Sequence, residues 1–117
     1  MLPRKNRLKN KKDFNRIYQS GNFYQNKFIA LKFSKNDLSE SRIGIVVGTK
    51  ISKKAVERNR VKRRIRASIL GFISHLISGY DVVIMVRPEI VEKDFAAIDT
   101  ALTELFYKAK LLRKSNG

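Results

Sequence analysis

The most constraining feature of this chain is a stretch over residues 53–78 whose apolar side chains recur at the period of an α-helix. At about 100° per residue, five of these side chains fall within one arc of about 80°. They are Val61, Ile65, Ile69, Phe72 and Leu76. A helix with one such stripe has to bury it against other elements. We therefore predict one long helix here, ended by Gly79, that packs on the core of a small domain.

Cations flank this apolar stripe on both sides in the first half of the helix. One flank carries Asn59, Lys62, Arg66 and, further round, Arg63, and the other carries Arg60 and Arg64. Arg58 projects into the stripe itself, in the first turns, where we expect the core not to cover it. Like charges this dense oppose helix formation until an anion binds, and guanidinium groups suit phosphate. The helix is therefore predicted to face a polyanion.

Charge is distributed unevenly along the whole chain as well. Residues 1–66 hold 20 Lys and Arg against four acids, whereas residues 67–117 hold six of each, so the first part carries the entire net charge of +16. A surface that served only solubility would mix both signs. The asymmetry indicates one basic working face and favours nucleic acid as the partner.

Structured RNA fits this face better than a membrane or DNA. A cationic amphipathic helix can lie on anionic lipid, but here the apolar stripe is needed for the core of a small domain. A DNA-reading helix usually belongs to a recognition-helix module, which this order of elements does not resemble. Folded RNA presents phosphates and unstacked bases, which Arg, Lys, Asn and aromatic side chains bind.

The other segments predict a single α+β domain over residues 1–117. A short helix capped by Asn10 carries Phe14, Ile17 and Tyr18 on one face. Strands are predicted at residues 28–33, 43–47 and 82–86, a last helix at 93–112, and mobile tails at 1–9 and 113–117. The chain contains no cysteine, and no apolar run approaches the ~18 residues of a membrane span. Its basic first 12 residues do not look like a secretory signal.

The stretch Glu57–Arg66, ERNRVKRRIR, resembles the signature of the bacterial ribonuclease P protein family. That signature reads Arg-Asn-Arg, one residue, Lys-Arg, two residues, Arg, and all six positions match. The basic arm, Asp13-Phe14, Arg16, Tyr18 and the run Arg42-Ile43-Gly44 also look like that family, so the resemblance covers essentially the whole chain.

The resemblance implies a fold and a function. The fold would be a two-layer sandwich of the ribosomal-protein type, in which helices cover a small mixed sheet that contains a left-handed β-α-β crossover. The protein would be a bacterial, cytoplasmic subunit that binds ribonuclease P RNA and precursor tRNA and needs no protein partner. The holoenzyme removes the 5′ leader of the precursor, with Mg²⁺ held mainly by the catalytic RNA.

The resemblance also implies which residues bind RNA. The RNA-binding signature helix would contribute Lys53, Lys54, Arg58, Asn59, Arg60, Lys62, Arg63 and Arg66. A cleft for the single-stranded leader would be lined by Phe14, Tyr18, Ile29, Leu31, Lys50, Asn59, Lys62 and Arg66. From the residues alone, Phe14 and Tyr18 could equally be core packing.

Catalytic groups of the protein's own are not expected. A self-sufficient metal nuclease needs convergent carboxylates, and the basic half offers four dispersed acids. His75 is the only histidine and lies in an apolar stretch, and no metal-ligand spacing or Gly-rich phosphate loop is present. We therefore predict no catalytic residue and no metal ligand in the protein. The alternatives are a ribosomal or RNA-assembly protein without a catalytic partner and, less favoured, a stand-alone nuclease.

Overall fold

Three α-helices and four β-strands build residues 2–113, the part of the chain that the structure, a computed structural model, describes. In chain order they are α1 (Lys11–Ser20), β1 (Asn22–Gln25), β2 (Ile29–Lys35), β3 (Arg42–Val46), α2 (Ala55–Phe72), β4 (Tyr80–Val86) and α3 (Phe95–Lys108). Turns of 3₁₀ helix span Arg4–Asn6, Ile73–His75 and Pro88–Glu92. The predicted α+β class is confirmed.

Helix α2 is shorter than the periodicity predicts. It ends at Phe72, and after one 3₁₀ turn the chain is extended at Leu76, which forms an antiparallel bridge with Leu112. Leu76 is still buried, but it reaches the core from beyond the helix. The periodicity could not show this end, because an apolar residue at helical spacing can also be buried by an extended segment that pairs with a distant one.

The strands form one sheet in the order β1-β2-β4-β3. Strand β2 pairs antiparallel with both β1 and β4, and β3 pairs parallel with β4. Strand β1 was not predicted, because its four residues are mostly exposed and show no alternation. Helix α2 connects the parallel neighbours β3 and β4, and the left-handed path of this crossover stays a prediction.

The sheet has a hydrophobic cluster on each face. The larger cluster joins the sheet to α2 and α3 and contains Leu31, Ile65, Ile84, Leu102 and Phe106, all fully buried. The smaller cluster lies under α1 and is centred on Leu8, Ile17 and Val83. Because both faces are covered, β4 is a continuous apolar run from Val82 to Val86, whereas β2 alternates apolar with polar residues from Leu31 to Ser34.

The N-terminal segment is part of the fold, which corrects the prediction of a mobile tail at residues 1–9. Leu2, Asn6 and Leu8 are each about 5% exposed or less. The backbone N–H of Leu8 donates to the Ile43 carbonyl at 3.0 Å, so the segment runs along the edge of β3. The sequence did not predict this docking because most residues of the segment are polar or charged. The few apolar side chains, Leu2 and Leu8, are enough to hold it against the edge of the sheet. The other predicted mobile tail covers residues 113–117. The backbone N–H of Arg113 donates to the His75 carbonyl at 2.7 Å, and residues 114–117 lie outside the described residues.

A buried carboxylate ties α1 to the sheet. The side chain of Asp81 on β4 is 0% exposed and accepts from Arg42 at 2.6 and 2.8 Å, from Arg16 of α1 at 2.8 Å and from Asn36 at 2.9 Å. Asp13 adds a second carboxylate to Arg42 at 3.2 Å. Burial alone would raise the pKa of Asp81, but the hydrogen bonds from Arg42 and Asn36 and the charges of both arginines together hold it below its ordinary value.

Candidate nucleic-acid interface

The loop before α2 is fixed to the first turn of that helix. The Ser52 hydroxyl accepts from the Lys54 backbone at 3.1 Å and donates to the carboxylate of Glu57. Arg58 donates to the Ser52 carbonyl at 2.9 Å and is half-buried. The glutamate in the first turn also suits the helix dipole. These contacts explain why Arg58 can occupy a position on the apolar arc of α2. Its guanidinium group is bonded to the loop and does not enter the core.

One flank of α2 forms a groove with the edge of the sheet and the N-terminal segment. We call it the β3 groove, and its volume is about 370 Å³. It is lined by Leu2, Arg7, Leu8, Lys9, Ile43, Gly44, Ile45, Lys62 and Arg66. Four cations therefore surround an apolar floor. None of these four forms an ion pair within residues 2–113, so their charge is available to a ligand.

Of the two aromatic side chains on the buried face of α1, Phe14 contacts a residue of this groove. A Cβ atom at Gly44 would lie 2.4 Å from Cζ of Phe14, so the ring sits directly on the glycine backbone of β3. Phe14 is half-buried and packs with the smaller cluster, whereas Tyr18 is 37% exposed, with ring centroids 6.4 Å apart. Burial raises the pKa of Tyr18. Phe14 thus combines core packing with a position at the groove, and Tyr18 is the more open of the two rings.

Two residues predicted to line the leader cleft cannot do so. Ile29 and Leu31 are 0% exposed and belong to the larger cluster under α2 and α3. Successive residues of a strand point to opposite faces, so a cleft on the α1 face would meet Ala30 and Lys32 instead. The amine of Lys32 does donate to the Tyr18 carbonyl, which places it on the α1 side. The prediction is wrong for Ile29 and Leu31, because the face of β2 on which they lie is the one that α2 and α3 cover.

The opposite flank of α2 is tied to the chain that precedes α3. Arg60 donates to the Val91 carbonyl at 3.2 Å, and Arg64 donates to the Lys93 carbonyl at 2.6 Å. The Nε atom of Arg60 is buried and has no hydrogen-bond partner in the described part of the chain. Arg60, predicted to bind RNA, therefore also has a structural contact, and so does Arg64, which was not singled out. No signal in the sequence could have shown this, since both acceptors are backbone carbonyls about 30 residues away.

The remaining predicted residues are exposed but are not gathered in the groove. Asn59 and Arg63 lie on the open surface of α2. Lys50, Lys53 and Lys54 are exposed on the loop that precedes the helix. The contacts of these residues with RNA stay predictions.

Substitution by alanine is expected to affect Arg63 and Arg60 differently, because Arg63 is exposed and Arg60 is bonded to the segment before α3. We expect Arg63→Ala to weaken RNA binding and to lower its salt dependence by roughly one charge, with stability within about 0.5 kcal/mol of the wild type. Arg60→Ala should in addition lower the free energy of unfolding, by about 1–2 kcal/mol, because the Val91 carbonyl loses its donor. Urea unfolding and binding at several salt concentrations measure both effects. Equal loss of stability in the two variants would contradict the distinction between the exposed Arg63 and Arg60, which is bonded to the segment before α3.

Neither a metal centre nor a membrane span is found in residues 2–113. No group of three or more His, Cys, Asp or Glu side chains is placed there to hold a metal ion. Asp13 and Glu57, the acids nearest to the basic surface in sequence, are engaged by Arg42 and Ser52. Among the described helices, none is both long and apolar enough to span a bilayer.

Comparison with known proteins identifies relatives along nearly the whole chain. A family model described as Ribonuclease P matches residues 2–110. The ribonuclease P protein component of Cyanothece is 34% identical over 96% of this chain and 98% of its own length, and that of Pseudanabaena is 38% identical over 96% and 97%. The solved structure of the Staphylococcus aureus RNase P protein superposes with a TM-score of 0.85 at 28% identity and covers 92% of this chain and 98% of that one.

Proposed function

Because this chain belongs to the ribonuclease P protein family, we propose that it binds a ribonuclease P RNA and precursor tRNA and that the RNA performs the cut. The observation that carries this proposal is that the four cations of the β3 groove form no ion pair within residues 2–113. They surround an apolar floor of β3 backbone and leucine side chains. Single-stranded RNA has the matching chemistry, with charged phosphates on one side and apolar base faces on the other.

The contribution of the protein to the reaction is electrostatic. Arg7, Lys9, Lys62 and Arg66 would neutralise phosphates that otherwise repel one another when the 5′ leader and the catalytic RNA approach. Asn59 lies one turn before Lys62 on the same face of α2 and would add a neutral hydrogen-bonding group. The N-terminal segment presents Arg7 and Lys9 from a backbone that is bonded to β3, which reduces the entropy lost on binding.

Mg²⁺ is assigned to the RNA because the described side chains do not fit it. Magnesium is bound through carboxylate and phosphate oxygens, and the acids of the basic half are dispersed or bound to arginine. RNA phosphates supply the oxygen ligands that the cation prefers, and the cations of this chain reduce the phosphate charge that a low Mg²⁺ concentration leaves unscreened.

Rescue of leader removal at low Mg²⁺ tests the proposal. Adding this protein to a ribonuclease P RNA is expected to restore cleavage of precursor tRNA at a Mg²⁺ concentration where the RNA alone is nearly inactive. A ribosomal protein of similar size and charge serves as the control for nonspecific charge screening. Absence of rescue at every stoichiometry, or equal rescue by the control protein, would contradict the proposal and would favour a protein that only binds structured RNA.

Phe14 provides a test of the leader contact. Phe14→Leu keeps an apolar side chain on Gly44 but removes the ring, so it separates packing from stacking. In the presence of the RNA, we expect the substitution to weaken binding of precursor tRNA by about 1–3 kcal/mol. Binding of mature tRNA, which has no leader, should stay unchanged. Equal losses for both ligands would assign Phe14 to the core alone.

A further inference from the structure

A second cationic hollow lies on the tied flank of α2, where the helix meets the start of α3. Its volume is about 290 Å³, and it is lined by Arg60, Arg63, Arg64, Ala67 and Phe95. It shares no lining residue with the β3 groove. The two sites therefore lie on opposite flanks of one helix. We call this second site the α2–α3 hollow.

Phe95 is the apolar wall of this hollow. It is the first residue of α3 and is 43% exposed, whereas Ile98, Leu102 and Phe106 on the same helix are fully buried. A single exposed phenylalanine is common on protein surfaces and needs no explanation. This one, however, closes a hollow whose other large side chains are three arginines. An open aromatic face beside guanidinium groups is the arrangement that holds an unstacked base and its phosphate.

The arginines of the hollow are fixed in place and keep their charge. Backbone carbonyls of the segment before α3 hold Arg60 and Arg64, and a carbonyl positions a guanidinium without neutralising it. Arg63 is exposed, and none of the three arginines forms an ion pair among the described residues.

Three acids lie within four residues of Phe95, namely Glu92, Asp94 and Asp99. The Asp94 carboxylate accepts from the Ala97 backbone at 2.9 Å, and Asp99 accepts from Ser68 at 2.6 Å. The three arginines of the hollow outnumber the two exposed carboxylates of the adjoining segment, Glu92 and Asp94, and neither carboxylate forms an ion pair with them among residues 2–113. The volume of the hollow, about 290 Å³, leaves room for a group of the size of one base.

We propose that the α2–α3 hollow binds one unpaired nucleotide of an RNA partner, with the base stacked on Phe95 and the phosphate against Arg63. The proposal rests on the proposed function only in that the partner is RNA. It adds a second contact on the other flank of α2, so one helix would bridge two RNA segments. The segment in the β3 groove and the nucleotide in the hollow would then fix the position of the protein between them.

A tryptophan reporter tests the stacking directly. The chain contains no tryptophan, so Phe95→Trp introduces a single tryptophan at the wall of the hollow, whose fluorescence can be excited apart from that of the four tyrosines. Phe23→Trp is the matched control, because Phe23 is 50% exposed on the edge strand β1, outside both sites. We expect an oligoadenylate of about 12 nucleotides to quench the Phe95→Trp fluorescence and to leave the control unchanged. Inorganic polyphosphate, which has charge but no bases, should quench neither. Equal quenching of both reporters, or quenching of Phe95→Trp by polyphosphate, would overturn the proposal.

Affinity for the RNA partner provides the second measurement. Phe95→Ala is expected to weaken binding to ribonuclease P RNA about 5- to 150-fold, the range that loss of one stacked base corresponds to. Phe23→Ala should bind like the wild type, and thermal unfolding checks that both variants fold. Unchanged affinity of a folded Phe95→Ala variant would also overturn the proposal. That failure differs from failure of the proposed function, in which the wild type itself would not rescue leader removal.

Discussion

Replacing Lys62 and Arg66 together by alanine is expected to weaken binding to ribonuclease P RNA and precursor tRNA by about 3–5 kcal/mol at moderate salt. The two side chains line the β3 groove one turn apart and form no ion pair among residues 2–113, so their charges meet phosphate without a competing partner. The magnitude of the slope of log affinity against log salt concentration should fall by roughly two, about one for each positive charge removed. Filter binding or fluorescence anisotropy over a series of salt concentrations measures both quantities.

A variant with the same net charge separates the groove from general electrostatics. Lys27 and Lys108 are exposed and lie outside both cationic sites, so Lys27→Ala combined with Lys108→Ala also removes two positive charges. We expect this control to lose less than about 1 kcal/mol of binding free energy, because exposed charges beyond a Debye length are largely screened. Similar losses in the two double variants would mean that RNA responds to the total charge and not to the groove.

Replacing Asp81 by asparagine is expected to lower the free energy of unfolding by about 2–4 kcal/mol. The substitution keeps the shape of the side chain but leaves Arg42 and Arg16 without the carboxylate that both contact. Breaking an ion pair whose two partners are both fully buried would lower the free energy of unfolding by more. Here the side chains of Arg42 and Arg16 are 24% and 41% exposed, so water partly replaces the lost carboxylate. Urea unfolding followed by circular dichroism measures the change, with Glu104→Gln on the exposed surface of α3 as the control.

The same carboxylate predicts how stability depends on pH. Because the pKa of Asp81 is lower in the folded protein, its contribution is fully present above the ordinary pKa of an aspartate, about 3.9. It is lost as the pH falls through the folded value. The wild type should therefore lose stability more steeply below about pH 4 than Asp81→Asn does. Parallel curves for the two proteins would show that Asp81 is not the group that titrates.

The two flanks of α2 explain how one basic helix can be both functional and stable. Lys62 and Arg66 are left without ion pairs in the described structure, whereas Arg60 and Arg64 hold the segment before α3. A cation that donates to a carbonyl stabilises the fold and still contributes its charge to the surface. The helix therefore combines anchoring arginines with cations that are open to RNA, and the signature cannot be treated as six equivalent phosphate contacts.

The apolar stripe of α2, the asymmetric charge and the signature motif could all be predicted from the sequence. Helical periodicity is a local property of the chain, so Val61, Ile65 and Ile69 identify the buried face without knowledge of what covers it. Net charge is likewise a sum over residues. The same local signals identified α1 and α3, with Asn10 and Asp94 as side-chain caps in the structure.

The elements that cover each face of β2, the docking of residues 2–9 and the division of α2 into two flanks were decided only by the tertiary structure. The alternation of β2 places Ile29 and Leu31 on the face opposite to Ala30, but the sequence does not show which helices cover that face. Leu8 is bonded to Ile43, and Arg60 and Arg64 to carbonyls about 30 residues away. Such contacts join residues that are distant in the chain, and only the packed fold determines which of them meet.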